Sequence, residues 1–307
     1  GGGIPIIEPI KQSLGGNKIQ KVLGIINGTT NYILTRMAKE GANYHEVLKD
    51  AQKLGYAESD PAADVEGLDA ADKIAILSGL AFGGNIDREK IPTKGINQLE
   101  SRDVDYASEL GYGVKLLAVA EKTSPISKEN RFTELSAWVE PTLVPEEHPL
   151  AGVNGVNNAI LIEGDPIGEV MFFGPGAGAG PTASAVVADI LNIAGIKAMD
   201  QNNSRLDPLL AGNSWRECKL VEPRQIVQKN YLRFKTKDYP GVIGRIGNIF
   251  GAHKVSLQSI VQFESKESEA EIVVITHSVK RGQIQDSLLQ INALDEVIGV
   301  SAHMVCL

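Results

Sequence analysis

Cysteine is scarce in this chain: its 307 residues contain two, Cys218 and Cys306. A disulfide framework is thereby excluded, and two simple thiols suit a reducing, cytoplasmic setting. Histidine is nearly as rare. His45, His148, His253, His277 and His303 have no metal-ligand spacing and are expected to be surface or cap residues. No uninterrupted apolar run approaches the roughly 18 residues of a membrane helix, so no membrane partner is expected. Positive charge is in deficit, with 30 Lys and Arg against 38 Asp and Glu. No basic stripe offsets the net charge of −8, which argues against nucleic acid as a partner. The opening "GGGIPIIEPI" has neither the basic region nor the apolar core of a signal peptide. It starts without Met and in mid-pattern, so an amino-terminal part is expected to precede it.

The length suits two domains of ordinary size. "NKIQKVLGIIN" has the pattern of a strand, and "TTNYILTRMAKEG" that of a helix closed by Gly41. A second helix begins after Asn43, with Glu46 placed as in a capping box, and ends at Gly55. An acidic loop follows, then a helix over about 67–82. Between 113 and 173 four segments have β character, among them "GVKLLAVAEKT" and "FTELSAWVEPTLV". Helices first and strands afterwards predict an α+β fold, a mixed β-sheet with helices on one face. Residues 200–228 are polar and irregular, with 201–228 the linker. From Asn230 the order strand, helix, strand, strand, helix, strand predicts a ferredoxin-like βαββαβ module over 229–307.

The acidic loop holds the most chemistry. "AESDPAADVEGLDAADK", residues 57–73, places six carboxylates ahead of one lysine. Asp69 and Lys73 stand four apart on the following helix and share a face. An exposed pair of this kind is ordinary and worth only tenths of a kcal/mol. Glu58, Asp60 and Asp64 can converge above the same helix end, however. So many carboxylates repel one another unless cations join them, and a substrate ammonium together with Lys73 would be such cations.

"AQKLGYAESDPAADVEGLDAADK" resembles the signature of the homoserine dehydrogenases. Ala51, Gly55, Tyr56, Ala57, Asp60, Pro61, Asp64, Val65, Gly67, Asp69 and Lys73 all stand at that family's spacings. The resemblance extends from "GGGIPII" through "INGTTNYIL" to "GPGAGAGP", and so covers nearly the whole chain. It implies reversible hydride transfer between L-aspartate 4-semialdehyde and L-homoserine with NADP or NAD, in threonine and methionine biosynthesis. By the same resemblance Lys73 is the proton donor, and Asp69 holds the substrate and orients that lysine. Glu58 meets the substrate ammonium near the nicotinamide, Asp64 completes the substrate pocket, and Gly55 lies beside the cofactor.

Taken alone, "GPGAGAGP" could be a dinucleotide fingerprint, with Asp200 near the distance of a ribose-binding acid, or a tight turn that packs a helix on a sheet. Pro181 stands where the fingerprint's third glycine belongs. The resemblance places the main nucleotide-binding fold upstream, makes 1–12 its remnant and 13–200 the catalytic domain, and returns 176–200 to the cofactor with Gly176 in contact. It also offers the backbone carbonyls of Gly2 and Ile4 to a monovalent cation such as sodium, although a tight glycine turn explains "GGGIP" as well. "NGTTN", with Asn27, Thr29 and Thr30, is a helix cap that can also line the substrate pocket.

"KTKDYPGVIGRIGNIF" matches the pattern of an ACT regulatory module: a strand ending in Asp, then Pro-Gly, then an apolar helix. Asp238 can hold an ammonium. The backbone N–H groups at Gly241 and Val242 open the helix and can meet a carboxylate. The resemblance points to threonine as the effector and to pairing of modules in a homodimer or homotetramer. A second class of function stays open: a non-catalytic amino-acid-sensing protein whose front half is a degenerate partner. The intact set of Glu58, Asp69 and Lys73 speaks against that degeneration.

Overall fold

The computed structural model describes residues 2–123, 132–199, 217–264 and 269–307. A short helix, α1 (Ile7–Lys11), leads into strand β1 (Lys18–Ile25), then helices α2 (Gly28–Glu40), α3 (Tyr44–Lys53), α4 (Ala62–Val65), α5 (Leu68–Phe82) and α6 (Ser101–Glu109). Strands β2 (Tyr112–Lys122), β3 (Phe132–Pro145), β4 (Asn157–Asp165) and β5 (Gly168–Pro175) follow. Then come helix α7 (Ala179–Met199) and strand β6 (Glu217–Leu220). The last part is β7 (Val227–Lys237), α8 (Val242–Ala252), β8 (Leu257–Glu264), β9 (Glu269–Thr276), β10 (Val279–Lys280), α9 (Arg281–Ile291) and β11 (Val297–Cys306).

The expected α+β architecture is present, in one sheet of 11 strands with the order β5-β4-β1-β2-β3-β11-β7-β9-β8. Its final four strands, β11-β7-β9-β8, have the strand order of the ferredoxin-like module. The neighbours in this path are antiparallel except β3 and β11, which run parallel through Val305–Thr142 and Cys306–Leu143. Two residue pairs thus join the sheet of the carboxy-terminal module to that of the preceding part. β6 pairs parallel with β3, where the sequence suggested only irregular chain. The rest of that expected linker, residues 200–216 with Asp200, lies outside the described residues.

Burial explains why each strand sits where it does. β2 has seven consecutive buried residues, from Val114 to Ala120, as a central strand covered on both faces must. β5, at the edge, alternates exposed with half-buried positions. One face of the sheet carries Val22, Leu116 and Ala118 against Ile33 and Met37 of α2, Ile74 of α5 and Val104 of α6. The same apolar layer runs on to Tyr231, Val273 and Ile275 of the carboxy-terminal module. That module's own helices cover its opposite face, with Val242, Ile246 and Phe250 buried against Leu232, Phe234 and Val274.

Helix α7 is the exception. Val186, Val187, Ile190, Leu191, Ile193 and Ile196 are each about half exposed or more. Among the described residues it is the one helix whose 19-residue stretch Ala179–Lys197 is long and apolar enough to cross a membrane by composition alone. Pro181, Asp189 and Asn192 interrupt its apolar residues, so the sequence shows no unbroken apolar run there.

Candidate active site

The site is built around the turn between β1 and α2. Asn27 is the N-cap of α2, its side-chain oxygen accepting the Thr30 N–H at 2.9 Å. Its amide nitrogen donates to the Asp64 carboxylate at 2.6 Å and to Asp69 Oδ2 at 3.0 Å. Thr29, next along, donates to the Tyr56 carbonyl at 2.7 Å. Gly28 packs so closely on Val156 and Asn158 that a Cβ would lie 2.9 Å from the Val156 carbonyl oxygen. One turn therefore touches the acidic loop, the lysine-bearing helix and the far strand β4. Sequence pattern identified it as a cap and a possible pocket wall. Its partners lie 37 and 42 residues away, beyond any local periodicity.

Lys73 lies one turn into α5, which starts at Gly67 with φ of +82°. A side chain at position 67 would press on Thr93 and Val139, both at 3.2 Å from a Cβ, and its left-handed backbone favours glycine in any case. Lys73 Nζ donates to Asp69 Oδ2 at 2.7 Å and to the Ile26 carbonyl at 3.1 Å. Two of its three N–H directions are so committed, and the third is left for another acceptor. Both partners are about one-third exposed. The pair is more than the ordinary i,i+4 surface contact, because Asp69 is held from a second side by Asn27.

The other loop carboxylates take different parts. Asp64 joins the cluster through Asn27. Asp60 does not converge with it: its oxygen caps the Ala62 N–H at 3.1 Å, since the loop folds into α4, a four-residue helix too short for its periodicity to be seen. Glu58 is exposed, and its carbonyl accepts from Gln52 at 3.1 Å. Among the described residues its carboxylate has no partner.

Gly55 follows α3 with φ of +75° and open space above it. Gly2 and Gly176 are brought together, the Gly2 N–H donating to the Gly176 carbonyl at 2.7 Å. A Cβ on Gly176 would lie 2.4 Å from Asn158 Oδ1, so backbone and asparagine meet there with no room for a side chain. Asn158 Oδ1 is itself buried without a hydrogen-bond partner. The Ile4 carbonyl accepts from the Ile6 N–H at 2.9 Å, and among the described residues no group of three or more His, Cys, Asp or Glu could hold a metal ion.

In the carboxy-terminal module Gly241 has φ of +98° and caps α8. Asp238, Tyr239, Gly241, Val242 and Gln262 line a hollow of about 350 Å³, and Gln262 donates to Asp238 at 3.1 Å. The sequence missed two further features. Lys115, in the middle of β2, is 4% exposed and donates to the Val153 carbonyl and Asn154. His303 is neither surface nor cap: on β11 it bonds Asn230 at 2.9 Å, and burial lowers it to about 3. Cys218 Sγ lies 3.9 Å from the Phe82 carbonyl oxygen, and Cys306 is buried.

With that geometry in place, comparison with known proteins identifies the family. The homoserine dehydrogenase family model matches residues 5–191, and the ACT domain model residues 230–296. A homoserine dehydrogenase of Synechocystis sp. is 53% identical over 97% of this chain and 68% of its own length. That of Bacillus subtilis is 40% identical over 96% of this chain and 66% of its own. The crystal structure of a homoserine dehydrogenase from Thiobacillus denitrificans superposes with a TM-score of 0.90 at 38% identity, covering 99% of this chain and 68% of that one. The chain thus spans about two thirds of the length of the curated relatives it matches. It belongs to the homoserine dehydrogenase family and carries an ACT domain.

Proposed function

We propose that this chain, completed by the portion that its relatives carry beyond it, interconverts L-homoserine and L-aspartate 4-semialdehyde. The observation that carries this reading is Lys73, half-exposed and gripped by Asp69 and the Ile26 carbonyl, with one N–H direction uncommitted. A dinucleotide, NADPH or NADH, supplies the hydride for the carbonyl carbon when it is bound. Lys73 Nζ gives its proton to the carbonyl oxygen in the same step, leaving an alcohol and a neutral amine that solvent reprotonates. Asp69 keeps that ammonium aimed at the substrate. Glu58 and Asp64 provide negative charge for the substrate's own ammonium. In the oxidising direction Lys73 must first lose a proton, so that direction gains from higher pH.

Gly55, Glu58 and Gly176 are the residues through which this chain would hold the dinucleotide. The unpartnered acceptor of Asn158 beside Gly176 fits a group rich in amide and hydroxyl donors. Residues 176–200, with the apolar face of α7, then make the surface on which the cofactor-binding portion rests, and residues 1–12 are the chain's link to it. Residues 13–200 form the catalytic domain. The backbone carbonyls of Gly2 and Ile4 would contribute to the shell of a monovalent cation such as sodium. Threonine is the proposed effector at Asp238, Gly241 and Val242, in a homodimer or homotetramer.

The test is reduction of aspartate semialdehyde by the full-length enzyme, against the 307-residue chain alone. Turnover is expected only from the former, and the shorter chain should bind NADH and NADPH weakly in titration calorimetry. A full-length protein that binds an amino acid yet turns over neither substrate would favour the sensing reading instead.

A further inference from the structure

We infer that Asn27 is a positioning residue for the proton donor: capping α2 through its oxygen, it holds the Asp64 and Asp69 carboxylates through its nitrogen and so sets the place of Lys73. The inference rests on the reading of Lys73 and Asp69 given above.

The amide can act in this way because its orientation is not free. Asn27 Oδ1 lies 2.9 Å from the Thr30 N–H and 3.1 Å from the Thr30 hydroxyl. Turning the amide over would set its NH₂ against the Thr30 N–H donor, and its oxygen against two carboxylates. One end is an obligatory acceptor and the other an obligatory donor. The donor end has two hydrogens and finds two acceptors, Asp64 Oδ1 and Asp69 Oδ2. Asp69 Oδ2 is also the oxygen that Lys73 grips at 2.7 Å.

The neighbouring residue acts on the same ammonium, because the Ile26 carbonyl is Lys73's other acceptor. Two successive residues thus fix Lys73, one directly and one through Asp69. Asn27 is 5% exposed, and its turn is tied down by Gly28 against Val156 and by Thr29 on Tyr56. A side chain locked in this way transmits position rather than averaging it out.

Capping by itself does not require asparagine. Asn, Asp and Ser serve about equally well at an N-cap, but only asparagine adds two N–H donors that can bridge a pair of carboxylates. The two roles can therefore be separated. In the full-length enzyme Asn27→Ser keeps a cap and loses the bridge. Asn27→Asp keeps the cap and the shape but sets a third carboxylate beside two others.

Asn27→Ser should retain a Tm near that of the wild type, whereas Asn27→Asp, whose added carboxylate is buried beside two others, should lose some of it. Both should lower kcat by roughly 10- to 100-fold, since a misplacement near 1 Å costs on that order. KM for homoserine should change less than kcat, and Asn27→Asp should be the slower of the two. Asn27→Ala, which loses both roles, should lower Tm as well. A merely structural role would instead move Tm and kcat together across all three. Should serine prove too short to cap and lower Tm, turnover of both variants measured well below their Tm decides, and wild-type turnover there overturns the inference. Wild-type turnover in Asn27→Ser of unchanged Tm overturns it equally, while an inactive Lys73→Ala beside it leaves the proton-donor reading standing. Near-normal turnover in Lys73→Ala overturns that reading itself.

Discussion

Two clusters in this protein set cations among carboxylates to opposite ends. At the junction of the modules Arg233 is buried among Asp103, Glu271 and Glu100. Its guanidinium meets Asp103 at 2.7 and 3.1 Å, Glu271 at 3.0 Å and Glu100 at 3.0 Å. Arg102 and Tyr106 complete Glu271, each at 2.7 Å. Around the Asn27 turn Lys73 meets one carboxylate directly, with Asp64 held only through an amide and Glu58 exposed. The first cluster is dry: the side chains of Arg233, Asp103 and Glu271 are 2%, 0% and 3% exposed. In the second, Lys73 and Asp69 are about one-third exposed. A saturated, buried set holds two modules together. A half-open set that leaves one Lys73 N–H direction and, among the described residues, the Glu58 carboxylate uncommitted is one that can bind an ammonium and pass on a proton. The difference lies in saturation, in water access and in the cation, arginine in the first set and lysine in the second.

The comparison is broken most severely by taking out one partner of the buried set. Arg233→Met leaves Asp103 without its counter-ion in a dry interface, while Glu271 keeps Arg102 and Tyr106, and is expected to cost about 3–5 kcal/mol, a large part of the stability of an ordinary domain. Urea unfolding measures it, and the proposed substrate site around Lys73 is not directly touched. A loss below about 1 kcal/mol would mean that water reaches the junction and screens it.

The regulatory hollow offers a second way to separate the regions. Asp238→Ala combined with Gly241→Ala should abolish threonine inhibition of the full-length enzyme while uninhibited turnover stays within about threefold, as expected for separate sites coupled by 1–3 kcal/mol. Inhibition curves for the double variant and the wild type decide it. Inhibition as strong as in the wild type would place the effector elsewhere.

Lys115 gives the smallest effect. Burial pushes its ammonium down to about 8 from the ordinary lysine value, so the folded protein releases this proton more readily than the unfolded chain does. Between about pH 8 and 10.5 the unfolded chain binds more protons, and stability should rise with pH across that window from this group. In Lys115→Met that part of the rise should disappear, which urea midpoints taken along the pH scale would show.

The active cluster was partly legible in the sequence because its main pieces sit on one helix and the loop before it. Asp69 and Lys73 share a face by spacing alone, and the density of carboxylates marks the loop. The ACT module was legible because alternating strands, a Pro-Gly turn and an apolar helix follow in order. The saturated cluster was not. Arg233 stands in a plain alternating strand, 130 residues from Asp103, and α6 carries too few apolar residues to announce a helix that packs on another module. The same limit hid the joining of β11 to β3, which rests on two residue pairs. The role of Asn27 was half legible: the cap follows from sequence, and the second hydrogen-bonding end appears only when loop and helix are brought to it.

The contrast between the clusters is tested most directly by Lys73→Ala in the full-length enzyme, with turnover and thermal unfolding measured on the same preparation. The account predicts that kcat falls by about 10²–10⁴, the range for a lost general acid, while Tm hardly moves, because a half-exposed pair contributes little to stability. Near-normal turnover, or a loss of activity matched by a collapse in Tm, would contradict it.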